Sequence, residues 1–358
     1  MKHPFGNDPA KVEGYRKFWK RESVKRPLVG FSTKSWFPLD EFKASAAWPK
    51  DRPLTPDMLK PAEFMDDQER LLREGEQVED DILSGASPSQ AVLWCCGSLG
   101  STMRVLPGNV VAEEQNAGWE AALAKRLDRG APWYKKYIEF IDVLVKRAAG
   151  RFPVSHGTLV GPLDLAVNLR GHEQTIFDLM DEPDKGARLL ENMADFFIEI
   201  TRDAWKRIPR FQGGCFDAQY SLWAPGLIAR MQEDAVAVVS PNLYERYIKP
   251  VDAKIAREFE SCFMHLHATS MFVLDKILEI DALKCLEINN DVGGPPVSWL
   301  VPYLKQTQRA KRSLLVRGSF SPDELKLMLD SLEPAGLYLY IMVSERKEID
   351  TLRPILGM

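Results

Sequence analysis

The fold class this sequence predicts is a single (β/α)8 barrel, and three observations predict it. Eight short apolar runs alternate with helix-like stretches along one chain. The later runs are mixed apolar segments bounded by loops, as buried parallel strands are. No G-x-G-x-x-G follows the first run, which disfavours the runner-up, a doubly wound open sheet. With no solenoid-type repeat, low-complexity tract or interdomain linker in evidence, residues 1–26 read as an N-terminal helical extension and 27–358 as the barrel.

The elements follow in order. Residues 10–23 place Val12, Tyr15, Phe18 and Trp19 at helical spacing, and Arg26-Pro27 then opens a first strand over 28–32. The proline- and aromatic-rich stretch from Trp36 to Pro61 predicts a long loop or cap. Thr55 as N-cap and Pro56 at the first helical position predict a helix over 55–77. A second strand is expected at 81–84, and 85–132 is irregular. There, Cys95 and Cys96 read as core fillers or as small residues packed close to a ligand. A helix over 133–148 precedes a third strand at 153–160; a helix over 183–207 precedes a fourth at 213–219. A loop carrying Gln232, Glu233 and Asp234 leads to Ser240-Pro241, the cap and first residue of a helix reaching residue 259. The fifth strand lies around 263–267, with a helix-like run over 271–280 after it. Strands six to eight fall at 283–289, 313–317 and 337–343, and Ser321 with Glu324 forms a capping box between the last two.

Composition narrows the function. The chain has 358 residues, 45% of them apolar, and a formal net charge of −4, which argues against a general nucleic-acid binder. Its five cysteines form no C-x-x-C pair and no regular framework, the usage of reduced thiols in the cytoplasm. The N-terminus has no apolar signal core. No apolar run approaches the roughly 20 residues that cross a bilayer.

The candidate site centres on His265 and His267. In a strand, residues i and i+2 share a face, so both imidazoles point the same way, and two of the chain's five histidines converge there. The end of a barrel strand is where such enzymes place their chemistry. A pair of histidines that only bonds its neighbours is the competing reading. Asp217, expected at the end of strand four, is a candidate general acid–base group or a capping carboxylate. Asp164 and Arg170 follow strand three and suit a polar substrate or a structural ion pair. Tyr220, Gln232 and Asp234 lie in the loop after strand four, where substrate contacts belong. Arg317 ends strand seven, a position suited to an anionic group or to pairing with Glu287.

The order of residues resembles the uroporphyrinogen decarboxylase superfamily. The carriers are Gly161-Pro162-Leu163-Asp164-Leu165-Ala166, Leu169-Arg170-Gly171-His172-Glu173, Leu179-Met180-Asp181-Glu182-Pro183 and the 239–250 segment, which is similar to that family's SPE-x-F-x-x-F-x-x-P helix. The resemblance covers residues 150–345 well and the N-terminal part poorly. It implies one (β/α)8 barrel. It also implies either a true decarboxylase, a lyase, or a zinc methyltransferase working with a corrinoid protein. True decarboxylases carry an arginine-rich segment after the first strand. Here Ser32-Thr33-Lys34-Ser35-Trp36-Phe37 stands there with no arginine to grip carboxylates. The methyltransferases bind zinc through His-x-Cys on strand five and a cysteine near strand eight. His265 matches the histidine, His267 replaces the first cysteine, and Tyr340, Met342, Ser344 and Glu345 stand near strand eight. Zinc also accepts a two-histidine, one-carboxylate set, so the expected metal ligands are His265, His267 and Glu287. Without thiolates such a zinc is a harder Lewis acid, suited to polarising oxygen.

The function these residues imply is methyl transfer from a small methylated substrate to a corrinoid protein or thiol, with zinc as cofactor. The alternatives are metal-independent decarboxylation of a tetrapyrrole or another carboxylated substrate, with Asp217 stabilising the developing cation, and a non-catalytic corrinoid- or tetrapyrrole-binding barrel. The expected partners are the small substrate and a corrinoid protein, with a homodimer left open and no nucleic acid or membrane involved.

Overall fold

The structure, a computed structural model, describes residues 3–35 and 37–358; Trp36, within the expected cap, lies outside them. Its centre is a six-stranded parallel sheet. In chain order the strands are β1 (Leu28–Ser32), the antiparallel pair β2 (Met103–Leu106) and β3 (Asn109–Ala112), and the antiparallel pair β4 (Cys215–Asp217) and β5 (Leu222–Ala224). Then come β6 (Ile228–Gln232), β7 (Ser261–Leu266), β8 (Cys285–Asn290), β9 (Ser313–Gly318) and β10 (Leu337–Met342). The sheet runs β1-β10-β9-β8-β7-β6, with every neighbour parallel.

Between the β1 and β6 edges lie the segments expected as the second and third strands, 81–84 and 153–160, which form no strand: Asp81 and Ile82 are bends and only Val154 makes a bridge. Asp81 N–H donates to Val29 O at 3.0 Å, Ala86 and residues 153–155 form one parallel bridge, and Gly161 N–H donates to Gln232 O at 2.7 Å. Backbone links thus cross the gap. Local side-chain bonds displace the ladder there. Asp81 and Asp80 carboxylates accept from Val29 N–H and Phe31 N–H, and His156 Nδ1 bonds Gly157 O.

The fourth expected strand is corrected. Residues 215–217 form a hairpin with β5, and the sheet strand is β6, which the sequence reading treated as loop. The hairpin needs a glycine at 214, where a Cβ would sit 2.2 Å from Ala224 O. The 55–77 helix is also corrected. Residues 56–58 and 61–64 are 3-10 turns, and the α-helix is Met65–Glu76, because Pro61 interrupts the register. Helices Pro132–Ala148 and Pro183–Arg207 lie close to expectation, as do the Ser240 cap and the Ser321–Glu324 capping box. The helix after Ser240 reaches Glu258 through a π-type turn at Tyr244–Ile248, just before Pro250, which cannot donate a helical bond.

The two faces of the sheet differ sharply. Val29, Phe31, Ala229, Met231, Cys262, Met264, Leu286, Ile288, Leu314, Val316, Leu339 and Ile341 share the face opposite the site and are buried. The other face carries Ser32, Arg230, Gln232, His265, Glu287, Asn289, Arg317, Tyr338 and Tyr340, all buried as well. The hairpin turn drives Tyr220 into this polar interior, against Phe263 and His265 and beneath both arginines.

The helix Lys11–Lys20 is the floor of this interior. Tyr15 packs against Trp223 and Tyr338, Trp19 Nε1–H donates to Trp223 O at 2.7 Å, and Ser313 Oγ–H donates to Phe18 O at 2.8 Å. Tyr15 O–H donates to Ser221 O at 2.6 Å and accepts from Leu83 N–H at 3.0 Å. The segment expected as an extension is therefore packed into the core at the N-terminal ends of the strands.

A second buried device fixes the β6 loop. Glu233 Oε2 accepts from Leu163 N–H and Asp164 N–H at the start of helix Pro162–Arg170, at 3.0 and 3.3 Å. Asp164 in return accepts from Asp234 N–H and Ala235 N–H at 3.1 and 2.8 Å. Burial pushes Asp164 up to about 8, helped by the nearby Asp234 charge. Burial likewise pushes Asp252, which bonds Tyr244 and Glu233, up to about 7.

Two predictions follow from this packing. Tyr15→Phe strands a buried carbonyl and amide and is expected to cost about 1–3 kcal/mol, read as a lower urea midpoint with an unchanged slope. Asp252 has a folded pKa near 7 against an ordinary 3.8. Its stabilisation is therefore fully present below the lower value and lost as pH rises through the upper one. Asp252→Asn should flatten that decline and melt above the parent on the alkaline side.

Candidate active site

The site lies where β6, β7 and β8 end. The register pairs Gln232 with His265 and His265 with Glu287, so the three side chains stand abreast on the interior face. His267 is the first residue beyond β7, Asp234 lies two past β6, and Asp291 is the first past β8.

Each imidazole is held from behind by a carboxylate. His265 Nδ1 meets Glu287 Oε2 in a short contact, with Tyr220 Oη 2.9 Å from the same nitrogen. His267 Nδ1 lies 2.7 Å from Asp291 Oδ1, which also accepts from Asn289. An ionised carboxylate only accepts, so Nδ1 of each ring carries the proton and Nε2 the lone pair. The two Nε2 atoms face one another at 3.0 Å, with Asp234 Oδ1 3.6 Å from that of His267. Gln232 Nε2–H donates to the other Asp234 oxygen at 2.7 Å.

Two lone pairs cannot rest at that distance without a cation between or beside them. A proton is one such cation. Burial pushes His267 down, but the Asp291 hydrogen bond and the charges of Asp234, Asp291 and Glu287 outweigh it, and the net shift is upward. The same set can hold a metal. Asp234, His265 and His267 offer ligand atoms within 4.8 Å of one another. Carboxylates behind metal-binding histidines are the usual support of such sites. His267 and Asp234 have side-chain exposures of 32% and 49% while His265 has 7%, so the meeting point opens to solvent on one side.

The three expected ligands do not all face one point. Glu287 stands behind His265, on Nδ1, and does not face the meeting point; Asp234, expected as a substrate contact, does. Tyr220 and Gln232 touch His265 and Asp234 respectively. Asp217 does not reach the imidazoles. Its Oδ1 accepts from Gln219 N–H and Tyr220 N–H, and its Oδ2 lies 3.9 Å from buried His156 Nε2. Arg170 is bound to Asp178, Nε to Oδ2 at 2.6 Å, and stacks on Trp119, and Asp164 holds backbone amides. Both side chains are engaged within the protein. Arg317 lies against the Tyr220 and Tyr340 rings, 5.3 and 5.8 Å from their centres. Asp291 was missed by sequence reading: a lone aspartate in Asn289-Asn290-Asp291 carries no signal until β8 is known to end there. All five cysteines are buried free thiols, so no thiolate joins the set.

No family model matches this chain, and no curated protein does. Among solved structures it is similar to a methyltransferase from Methanosarcina mazei, with a TM-score of 0.64 and 13% identity over 97% of this chain and 98% of that one. At that identity the likeness is one of fold, and it spans both chains almost end to end.

Proposed function

We propose that this protein is a metal-dependent methyltransferase that removes a methyl group from a small substrate, with His265, His267 and Asp234 as the metal ligands. The observation that carries this reading is the pair of imidazoles whose Nε2 atoms converge at 3.0 Å, each backed by its own carboxylate. The fold likeness to a methyltransferase supports the class of reaction.

When bound, a zinc ion supplies a Lewis acid that draws electron density from the substrate heteroatom. The chain's own residues do the rest. Glu287 and Asp291 fix both ring tautomers so that both lone pairs face one point. Asn289 and Gln232 hold the Asp291 and Asp234 carboxylates in turn. The carbon–heteroatom bond breaks with its electrons left on the heteroatom, and an acceptor lone pair forms the new bond to carbon. Val238, Phe272 and Val292, 54%, 46% and 86% exposed, lie on the loops that follow β6, β7 and β8. Apolar side chains at this rim suit a protein-borne acceptor such as a corrinoid protein.

Metal analysis of the purified protein is expected to find about one zinc per chain, lost in His267→Ala and Asp234→Asn. A wild type that binds no divalent ion, or variants that bind it fully, would sink the assignment. Glu287→Gln keeps the ligands and loses their support, so its metal affinity should fall about 10–100-fold in a competition titration against a chelating dye. Methyl transfer from small methylated substrates to a corrinoid protein or thiol should fall in step with metal loss.

A further inference from the structure

Lys34 lies two residues past the end of β1 and is half-buried. It lines two adjoining narrow cavities of about 40 Å³ each, which share Ser32, Lys34, Leu71, Gly85, Ala218 and Tyr340 as walls. Each has room for roughly three waters, so they admit a compact molecule of a few heavy atoms.

The amine in these walls has no counter-ion. Among the described residues, the hydrogen bond that Lys34 makes runs from its backbone N–H to Ser32 Oγ at 3.2 Å, and no ion pair includes its Nζ. The acids around it are committed elsewhere. Glu41 accepts from Ser35 N–H and Leu39 N–H at 2.9 and 3.1 Å, and Glu74 from Arg70 Nη1–H at 2.8 Å. Asp80, on the wall of one cavity, accepts from Lys11 Nζ–H, Phe31 N–H and Ile82 N–H. Burial pushes the Lys34 amine down, and the charges of Glu74 and Glu41, which push it up, do not offset that. A desolvated lysine without a partner frees its lone pair more readily than an exposed one, which is the condition for a nucleophilic amine. The same walls carry hydroxyls. Tyr340 Oη accepts from Ser221 Oγ–H at 3.4 Å and keeps its own hydrogen to donate, and Ser32 Oγ–H can donate likewise. A carbonyl group answers both features: its carbon takes the lone pair reversibly, with no co-reactant, and its oxygen accepts from hydroxyls.

We propose that Lys34 captures a small aldehyde or ketone in these cavities as an imine. The Nζ lone pair forms the bond to the carbonyl carbon, and the carbon–oxygen π pair passes to oxygen. That oxygen then leaves as water with the two amine hydrogens, and a C=N bond remains. The capture uses none of His265, His267 or Asp234, so it stands or falls apart from the metal reading.

The test uses the full parent chain at neutral pH, with propionaldehyde as probe and sodium cyanoborohydride to fix any imine as a secondary amine. Digestion and mass spectrometry then give the rate of alkylation at each lysine. Lys34 is expected to react about tenfold faster than a typical exposed lysine, for which Lys20 and Lys347 serve as the internal standards, and its rate should saturate with aldehyde. Pyridoxal, whose ring is too wide for these cavities, should show no such preference, and unfolding in urea should abolish it for propionaldehyde. Alkylation of Lys34 no faster than that of Lys20 and Lys347 overturns the capture. So does an equal preference with pyridoxal or in urea, since either would assign the reactivity to the local sequence and not to the cavities.

Discussion

The Tyr220 ring is what the polar interior depends on. A sheet that buries Arg230, His265, Glu287 and Arg317 on one face must give each a partner, since an unpaired buried charge costs several kcal/mol. Tyr220 meets three of them: its face takes both guanidinium groups, and its hydroxyl takes His265. Its own backbone is pinned by Asp217 at the amide and by Tyr338 at the carbonyl. Ser221, next in the chain, takes a left-handed φ of 46° to complete the turn that delivers the ring. The hairpin therefore serves as a plug that makes a charged interior tolerable.

Around that plug the acids divide by role. Glu287 and Asp291 face ring N–H groups, Asp164 and Glu233 face backbone amides, and Asp234 alone of these turns an oxygen toward an imidazole lone pair. Glu233 and Asp234 are adjacent in sequence yet serve opposite ends of one loop, one capping a helix and the other open to the site. A carboxylate left facing a lone pair is arranged for a cation. The acids bonded to N–H groups already have their hydrogens.

Much of this was legible in the sequence, and the failures have physical causes. β1 and β7 to β10 announce themselves as apolar runs between loops, and the shared face of His265 and His267 follows from strand geometry. β6 was missed because Arg230 sits at its centre, and a charge in a five-residue run reads as loop until a hairpin ring is known to cover it. Residues 213–219 looked like a sheet strand because a short hairpin arm carries the same apolar pattern as a parallel strand. Residues 81–84 and 153–160 form no sheet strand, because Asp80, Asp81 and His156 bond the backbone with side chains. Glu287 meets Nδ1 of His265 and Asp234 lies nearer Nε2 of His267, because parity gives the face of a residue and not which nitrogen of a neighbouring ring it meets.

The floor helix has a reach that its position hides. Tyr15 grips Ser221 from below, Ser221 adjoins Tyr220, and Tyr220 touches the back of His265. A single buried phenol of the opening helix is thus two residues removed from the His265 imidazole. Selection acting on the opening helix could retune the chemistry at the opposite end while every ligand stayed unchanged.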